Sequence, residues 1–464
     1  MTEFGVRFLS NLAYEPNERQ LELVAALSEF VLGTHADSIF VLNGHAGTGK
    51  TSLTGALVRT LSDVHRPAVL LAPTGRAAKV FAAYAGHSAF TIHRHIYRQS
   101  SYAPDYGGFQ LAENKHADTL FIVDEASMMP NSNDGAPAAF GSGRLLDDLI
   151  EYVFTGSGNR LILLGDSAQL PPVGLDESPA LSPEQMRGYG MPVFTYSLTE
   201  TARQATDSGI LYNANLLRRG LASEPLAKPE LVLDRFDDFR PLQGDIMQEI
   251  IDDSYSRDGI QESIIITRSN RRATMFNTGI RNRVLYREEE LSSGDRLLIA
   301  KNNYHWAAEY KEVDFIANGD IATVSRVSHT EERYGFRFAD VTLYFADLDV
   351  ELDAKICLDA LYSDAPALTG EQQRKLFEAV AADTGATNKR ELMRAIKADP
   401  YFNALQVKFA YAVTCHKAQG GQWRNVFIDM GFIPEDALTT RDFYRWLYTA
   451  ITRASQQVYL LGNF

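Results

Sequence analysis

Residues 43–52, "NGHAGTGKTS", put glycine-freed backbone N–H groups beside one lysine charge. Gly44 to Thr51 fits G-x-x-x-x-G-K-[ST] at every fixed position. Gly44, Gly47 and Gly49 allow N–H groups to close around phosphate oxygens at a helix N-terminus. Lys50 brings a point charge to the β- and γ-phosphates, and Thr51 a hydroxyl to Mg²⁺. The preceding "SIFVL" is apolar and β-branched like a buried strand, and the following "SLTGALVRTL" has apolar residues at helical spacing. Strand, loop and helix are the context this motif needs, so the stretch implies ATP or GTP binding. Gly47, Thr48, Gly49, Lys50, Thr51 and Ser52 are the candidate nucleotide-binding residues.

Hydrolysis needs more groups than the loop supplies. In "LFIVDEAS", four apolar residues precede Asp124-Glu125, which sets two acids at the C-terminal end of a central strand. Asp124 suits Mg²⁺, and Glu125 suits a water that must be polarised for attack. In "LLGDSAQLPPVG" (163–174), Gln169 follows another strand end, where an amide can touch both γ-phosphate and water. A surface glutamine in a turn is the plain alternative. Positive charge must also neutralise the transition state. Arg203 in "LTETARQ" and Arg453 in "RWLYTAITRAS" are the candidates, although a lone arginine is more often a solvated surface residue.

Three further stretches carry hydroxyl, small and basic residues suited to phosphates: "LAPTGRAAKV" (71–80), "TIHRHIYR" (91–98) and "TCHKAQGGQW" (414–423). Trp423 in the last is a candidate for stacking on a base. His93, His95 and His416 come without a matched carboxylate or thiol cluster, so no metal site is expected from them.

The elements that hold these residues follow from pattern. From Ser38 to about Leu198, apolar strands alternate with helical segments, which predicts a parallel sheet covered by helices. A second α/β region begins near Glu200, with strands expected at 263–269, 407–414, 425–430 and 457–462. Between 294 and 403 short antiparallel strands and two helices interrupt it. Residues 98–117 read as a hairpin excursion, and 131–143 as a mobile loop. The chain has 464 residues, 45% hydrophobic and 22% charged, an ordinary globular composition for about three domains. Its net charge of −14 argues against a protein coated in nucleic acid but permits a local basic groove. Two cysteines, Cys357 and Cys415, offer no disulfide framework. With no secretion signal and no apolar run long enough to span a bilayer, a cytoplasmic location is expected.

Taken in order, "NERQ", "GHAGTGKT", "APTGRAAK", "TIHRHIY", "VDEAS", "GDSAQLPPVG", "LTETARQ", "TRSNRRATMFN", "YAVTCHKAQGGQW" and "LYTAITRA" resemble the motif set of superfamily 1 helicases. The resemblance is to the 5′→3′ branch containing the Dda and RecD enzymes, and it covers nearly the whole chain. It implies an α/β fold of two RecA-like domains, 1–198 and 199–464, with ATP and Mg²⁺ in the cleft between them. It further implies that Gln20 reads the adenine edge and that Arg203 and Arg453 reach across that cleft. Thr74, Arg76, His93, His416 and Lys417 become contacts to single-stranded DNA. The 98–117 excursion falls where the family carries a strand-separating pin, with Tyr102, Tyr106 and Phe109 as candidate wedges. The 294–403 insertion resembles an SH3-like accessory domain, although Ala322 stands where the family usually has a second glycine.

The expected activity is ATP-driven translocation on single-stranded DNA with separation of duplex strands. The expected partners are single strands and single-strand/duplex junctions, with a monomer acting in a bacterial or phage-type, nucleoid-associated setting. A rival is a DNA-stimulated translocase that displaces proteins with little unwinding, and a pin discriminates the two. Another is an AAA-type remodeller, which would follow its first domain with a helical lid rather than a second α/β sheet.

Overall fold

The computed structural model describes residues 2–99, 109–131, 140–200, 207–308, 310, 313 and 315–462. The chain forms two compact units. One comprises Met1–Asp238, Gln419–Gly421 and Pro434–Thr452; the other comprises Phe239–Ala418, Gln422–Ile433 and Arg453–Phe464. The expected division at 198/199 differs from this grouping, because the chain through Asp238 stays with the first unit. Asp238 is tied to the start of the Gly209–Leu221 helix, accepting from Ser208 Oγ and Gly209 N, both at 2.7 Å.

In the first unit the strands are β1 (Ser38–Gly44), β2 (Ala68–Ala72), β3 (Ala89–Thr91), β4 (Tyr97–Gln99), β5 (Phe109–Leu111), β6 (Leu120–Val123), β7 (Arg160–Gly165) and β8 (Val193–Leu198). Six of them form a parallel sheet in the order β3-β2-β6-β7-β1-β8. The apolar runs expected for these strands fit a sheet covered on both faces: all of Leu120–Val123 is buried, as are Leu161–Leu164. Leu42, Leu53, Leu57, Phe81, Ile122 and Ile162 belong to the resulting core.

A short antiparallel pair, β4 with β5, joins Tyr97 to Leu111 and Gln99 to Phe109. This is the stem of the hairpin expected at 98–117. Residues 100–108, with Tyr102 and Tyr106, lie outside the described residues. Phe109, expected near the tip, belongs instead to the stem: it is 9% exposed and its ring lies 4.9 Å from that of Phe140. Gly141 N donates to Phe109 O at 2.7 Å, so the end of the 131–143 loop is tied to the stem.

The second unit has its own parallel sheet and a closed barrel. Its strands are β9 (Phe239–Leu242), β10 (Ser263–Thr267), β11 (Arg296–Ile299), β12 (Ile321–Arg333), β13 (Phe336–Phe345), β14 (Val350–Cys357), β15 (Leu405–Phe409), β16 (Ala412–Thr414), β17 (Trp423–Asp429) and β18 (Ala454–Leu461). The sheet order is β16-β10-β17-β18-β9, and β11 to β15 close the barrel. The single strand expected at 407–414 is two strands, one in each structure. Buried Asn277 makes the break possible. Its Oδ1 accepts from Tyr411 N and Ala412 N, and its Nδ2 donates to Phe409 O and Ala412 O. Backbone groups freed where the chain leaves the barrel thus stay satisfied.

Ala322 lies in β12 opposite Leu297 and is buried, so an inward methyl group fills the position expected to be glycine. The two helices expected within the insertion are Gly370–Asp383 and Lys389–Ala398. Leu376, Val380 and Ile396 from them cluster with Phe336, Phe338 and Cys357 of the barrel. The fold is therefore α/β, two RecA-like sheets with a hairpin in the first and an SH3-like barrel plus helices in the second.

Candidate nucleotide site and strand-contact residues

The phosphate loop joins β1 to the Lys50–Asp63 helix, and its turn depends on left-handed glycines. Gly47 has φ +75° and Gly49 has φ +85°. A side chain at Gly49 would also come within 2.7 Å of Gln20 Nε2. Thr48 is buried, with Oγ1 donating to His45 O at 2.8 Å, so it shapes the loop from within. Lys50 Nζ donates to Gly44 O and, at 3.0 Å, to Gly165 O at the end of β7. Thr51 and Ser52 follow in the first helical turn, where N–H groups lack intrahelical partners.

Gln20 holds the loop from behind. Its Nε2 donates to Thr48 O at 2.9 Å. Its Oε1 accepts from Asn17 N at 3.1 Å, completing a capping box at the start of the Glu18–Leu32 helix. The residue is 2% exposed, so both ends of the amide serve the scaffold. Its expected contact to adenine would have to exchange for these bonds.

Sheet order gathers the remaining groups, because β6, β7 and β1 are adjacent and parallel. Asp124 and Glu125 leave the C-terminal end of β6, Gln169 follows that of β7, and the loop follows that of β1. Glu125 adopts φ +53°, a left-handed conformation that costs energy for a non-glycine residue and is concentrated at functional sites. Glu125 N donates to Asp124 Oδ1 at 2.8 Å. Gln169 is 6% exposed, and its Oε1 is buried with no hydrogen-bond partner among the described residues. Such an atom calls for a ligand or water. A cavity of about 440 Å³ beside this turn is lined by His45, Asp166 and Gln169, with Ser127, Ser178 and Arg218.

Asp166 and the Arg441–Ile451 helix complete the first unit's site, and neither Asp166 nor Tyr448 was singled out from sequence. Asp166 accepts from His45 Nδ1 at 3.1 Å, Ala168 N at 3.0 Å and Tyr448 Oη at 2.5 Å. Burial opposes its charge, yet the His45 hydrogen bond and the charge of Lys50 hold its carboxyl below the usual range. Leu170 is fixed at both backbone ends, its N donating to Thr449 Oγ1 at 2.9 Å and its O accepting from Gln419 Nε2 at 2.7 Å. The one signal for these contacts was the presence of "GDSAQ" and "LYTAITRA" in the motif order.

The expected strand contacts divide between the units. Thr74 caps the Gly75–Ala85 helix by accepting from Ala77 N, and Arg76 lies in that helix's first turn. Gly420, at φ +72°, approaches the same turn so closely that a Cβ would sit 3.1 Å from Thr74 Oγ1. His93 lies in the Ile92–Ile96 helix, its ring 4.9 Å from Phe140 and 5.7 Å from Tyr97. Burial pushes its pKa down to about 4 against the opposing charge of Asp148, so the imidazole is neutral near pH 7. In the second unit, His416 and Lys417 lie in the Cys415–Ala418 helix, and Lys417 Nζ donates to Asn318 Oδ1 at 2.5 Å. Trp423 is buried at the start of β17, which corrects its expected role as an exposed stacking platform. Arg453 is 4% exposed, and its charge opposes the burial that pushes the Cys415 thiol up to about 12. Arg203 lies outside the described residues.

A phosphate loop, an acid pair and a glutamine turn at the ends of adjacent parallel strands define a RecA-like P-loop domain. The AAA domain family matches residues 16–230, and the UvrD-like helicase C-terminal domain family matches residues 409–461. The ATP-dependent RecD2 DNA helicase of Deinococcus radiodurans is 34% identical over 187 residues, covering 40% of this chain but 22% of that protein. The chain thus spans about a fifth of that relative. An uncharacterized protein, R530 of Acanthamoeba polyphaga mimivirus, is 21% identical and covers 95% of this chain and 99% of its own. Among solved structures, a Pif1 helicase from Bacteroides in complex with ADP-AlF3 and ssDNA aligns with a TM-score of 0.47 at 16% identity. That alignment covers 97% of this chain and 93% of that one. With its motifs in family order across both matched domains, the chain is similar to the superfamily 1 helicases of the Dda/RecD-like branch.

Proposed function

We propose that the chain is an ATP-dependent DNA helicase that moves 5′→3′ on single-stranded DNA and separates duplex strands. The observation that supports this most is the gathering of Lys50, Asp124, Glu125 and Gln169 at the ends of β1, β6 and β7. Lys50 and the N–H groups of Gly47, Gly49 and the following helical turn hold phosphate. The Thr51 hydroxyl and Asp124 carboxylate are hard oxygen donors that suit Mg²⁺, which is commonly held by one or two carboxylates plus substrate phosphates. When bound, that ion neutralises charge on the β/γ oxygens. Glu125 takes the proton of the attacking water, and Gln169 orients that water against the γ-phosphate. Arg203 and Arg453 supply transition-state charge, and Gln20 selects adenine.

Thr74, Arg76, His93, His416 and Lys417 contact the single strand, and the hairpin carried by β4 and β5 divides the duplex with Tyr102 or Tyr106. A translocase that displaces bound proteins is the second reading. The burial of Phe109 favours it by removing one of three wedge candidates. Among the described residues no helix is long and apolar enough to cross a membrane. The protein acts as a monomer, and its DNA partners are single strands and junctions.

Lys50→Ala tests the nucleotide half of this proposal. ATP turnover stimulated by oligo-dT should disappear while oligo-dT affinity stays near that of the parent. Loss of both in a folded variant, or retention of turnover, would count against the assignment.

A further inference from the structure

The phosphate loop is clamped at one point by a side chain from far along the sequence. Tyr448 Oη accepts from Ala46 N at 2.9 Å and donates to Asp166 Oδ2 at 2.5 Å. One hydroxyl thereby links the loop to the turn that carries Gln169. Tyr448 and Asp166 are each 1% exposed, so the pair is shielded from water. The second carboxylate oxygen is also in use, accepting from His45 Nδ1 and Ala168 N. His45 directly precedes Ala46, so Asp166 grips the loop twice, once through an imidazole and once through the phenol. Asn43 reinforces the link by exchanging two hydrogen bonds with Ser167, at 2.9 and 3.0 Å.

We propose that Tyr448 is a positioning residue that preorganises the phosphate loop for nucleotide, with Asp166 as its anchor. This rests on the nucleotide-binding part of the proposed function. A loop of glycines has many conformations in the absence of constraints, and each N–H held in place reduces the entropy lost on binding phosphate. The phenol touches the loop backbone rather than the reacting atoms. Its contribution is therefore the same in the ground state and the transition state. Such uniform binding acts on KM and leaves kcat largely alone. The phenol must remain protonated to donate to Asp166 while accepting from Ala46. Burial, then the negative charge of Asp166, raise its pKa well above the ordinary value, so the proton is retained at any working pH.

The test uses the full chain with Tyr448→Phe, Asp166→Asn and the double variant. Phenylalanine keeps the buried ring and removes only the hydroxyl. Three quantities are measured: dissociation of a fluorescent ADP by stopped flow, KM and kcat for ATP with saturating oligo-dT, and the melting temperature. In Tyr448→Phe, fluorescent ADP should leave about tenfold faster, the scale of one lost hydrogen bond. KM should rise in step, with kcat changed less than about twofold and melting within a few degrees of the parent. The double variant should be no worse than the more impaired single variant, because both substitutions break one linkage. An unchanged dissociation rate, a loss confined to kcat, or multiplying effects in the double variant would overturn the proposal. A parent protein that binds the fluorescent ADP without hydrolysing ATP would refute the motor reading, while the dissociation rates would still decide the role of Tyr448.

Discussion

Replacing Tyr97 with phenylalanine should loosen the hairpin stem while leaving the nucleotide site intact. Tyr97 begins β4, is buried, and packs its ring 5.1 Å from Phe140. Its hydroxyl donates to Asp148 Oδ2 at 2.6 Å, and the same buried carboxylate accepts from Ser142 N at 3.0 and 3.3 Å. Asp148 therefore ties the Leu145–Thr155 helix to both the stem and the loop that packs on Phe109. Phenylalanine keeps the ring contacts and leaves the carboxylate one donor short. A hydrogen bond to a charged group contributes about 1.5–3 kcal/mol, which corresponds to roughly a 10- to 100-fold larger population of opened stem. Hydrogen exchange at the paired amides around Leu111 should accelerate by that factor. In a forked-duplex assay, unwinding should slow several-fold while ATP turnover on oligo-dT stays at the parental level. Faster exchange with unchanged unwinding would show that the stem does not position a wedge. A parallel fall in both activities would place Tyr97 in the motor rather than in the pin.

Arg453→Ala should lower turnover by about 10³–10⁵, the range of an arginine acting on transition-state charge, with a smaller loss in ATP affinity. Near-normal turnover would remove it from the site. Glu125→Gln should retain bound ATP without hydrolysing it, as read by filter binding and phosphate release. Replacing residues 100–108 by a short Gly/Ser turn should spare translocation on single strands and sharply reduce unwinding; equal unwinding of forked duplex would defeat the pin assignment. Burial pushes both His93 and His95 down to about 4. Unfolded histidines take up protons near their ordinary value of 6.5, whereas the folded ones do so only near 4. The stability they contribute is thus complete above about pH 6.5 and is lost as pH falls towards 4. A melting temperature that is flat between pH 7 and 4.5 would contradict this.

The elements of the candidate nucleotide site were legible because local pattern and sheet order point the same way. A glycine loop between a buried strand and a helix has few alternatives, and the short, all-apolar "LFIV" before Asp124 has the length of a covered strand rather than a helix. Contacts spanning hundreds of residues were not legible. Nothing local to "LYTAITRA" says that Tyr448 reaches Ala46, just as nothing in "TCHKAQGGQW" says that Trp423 faces a core. Indole and phenol rings suit both a buried position and an exposed stacking face, so only tertiary packing separates the two. The run 407–414 misled for a related reason. Its apolar alternation continues through the crossover, and the break is imposed by Asn277, more than a hundred residues earlier. Gln20 was singled out only through the resemblance, as an adenine contact, and neither its capping box nor the bond from its Nε2 to Thr48 O was legible.

Strand separation powered by ATP is the central claim, and duplexes with single-stranded tails test it most directly. One substrate carries a 5′ tail, the other a 3′ tail, and strand release is followed with ATP, with a non-hydrolysable analogue and with Lys50→Ala. The account predicts release from the 5′-tailed duplex with ATP alone, little from the 3′-tailed duplex, and none with the analogue or the variant. Release from the 3′-tailed substrate instead would contradict the polarity. DNA-stimulated hydrolysis with no release from either would contradict unwinding itself and favour a translocase.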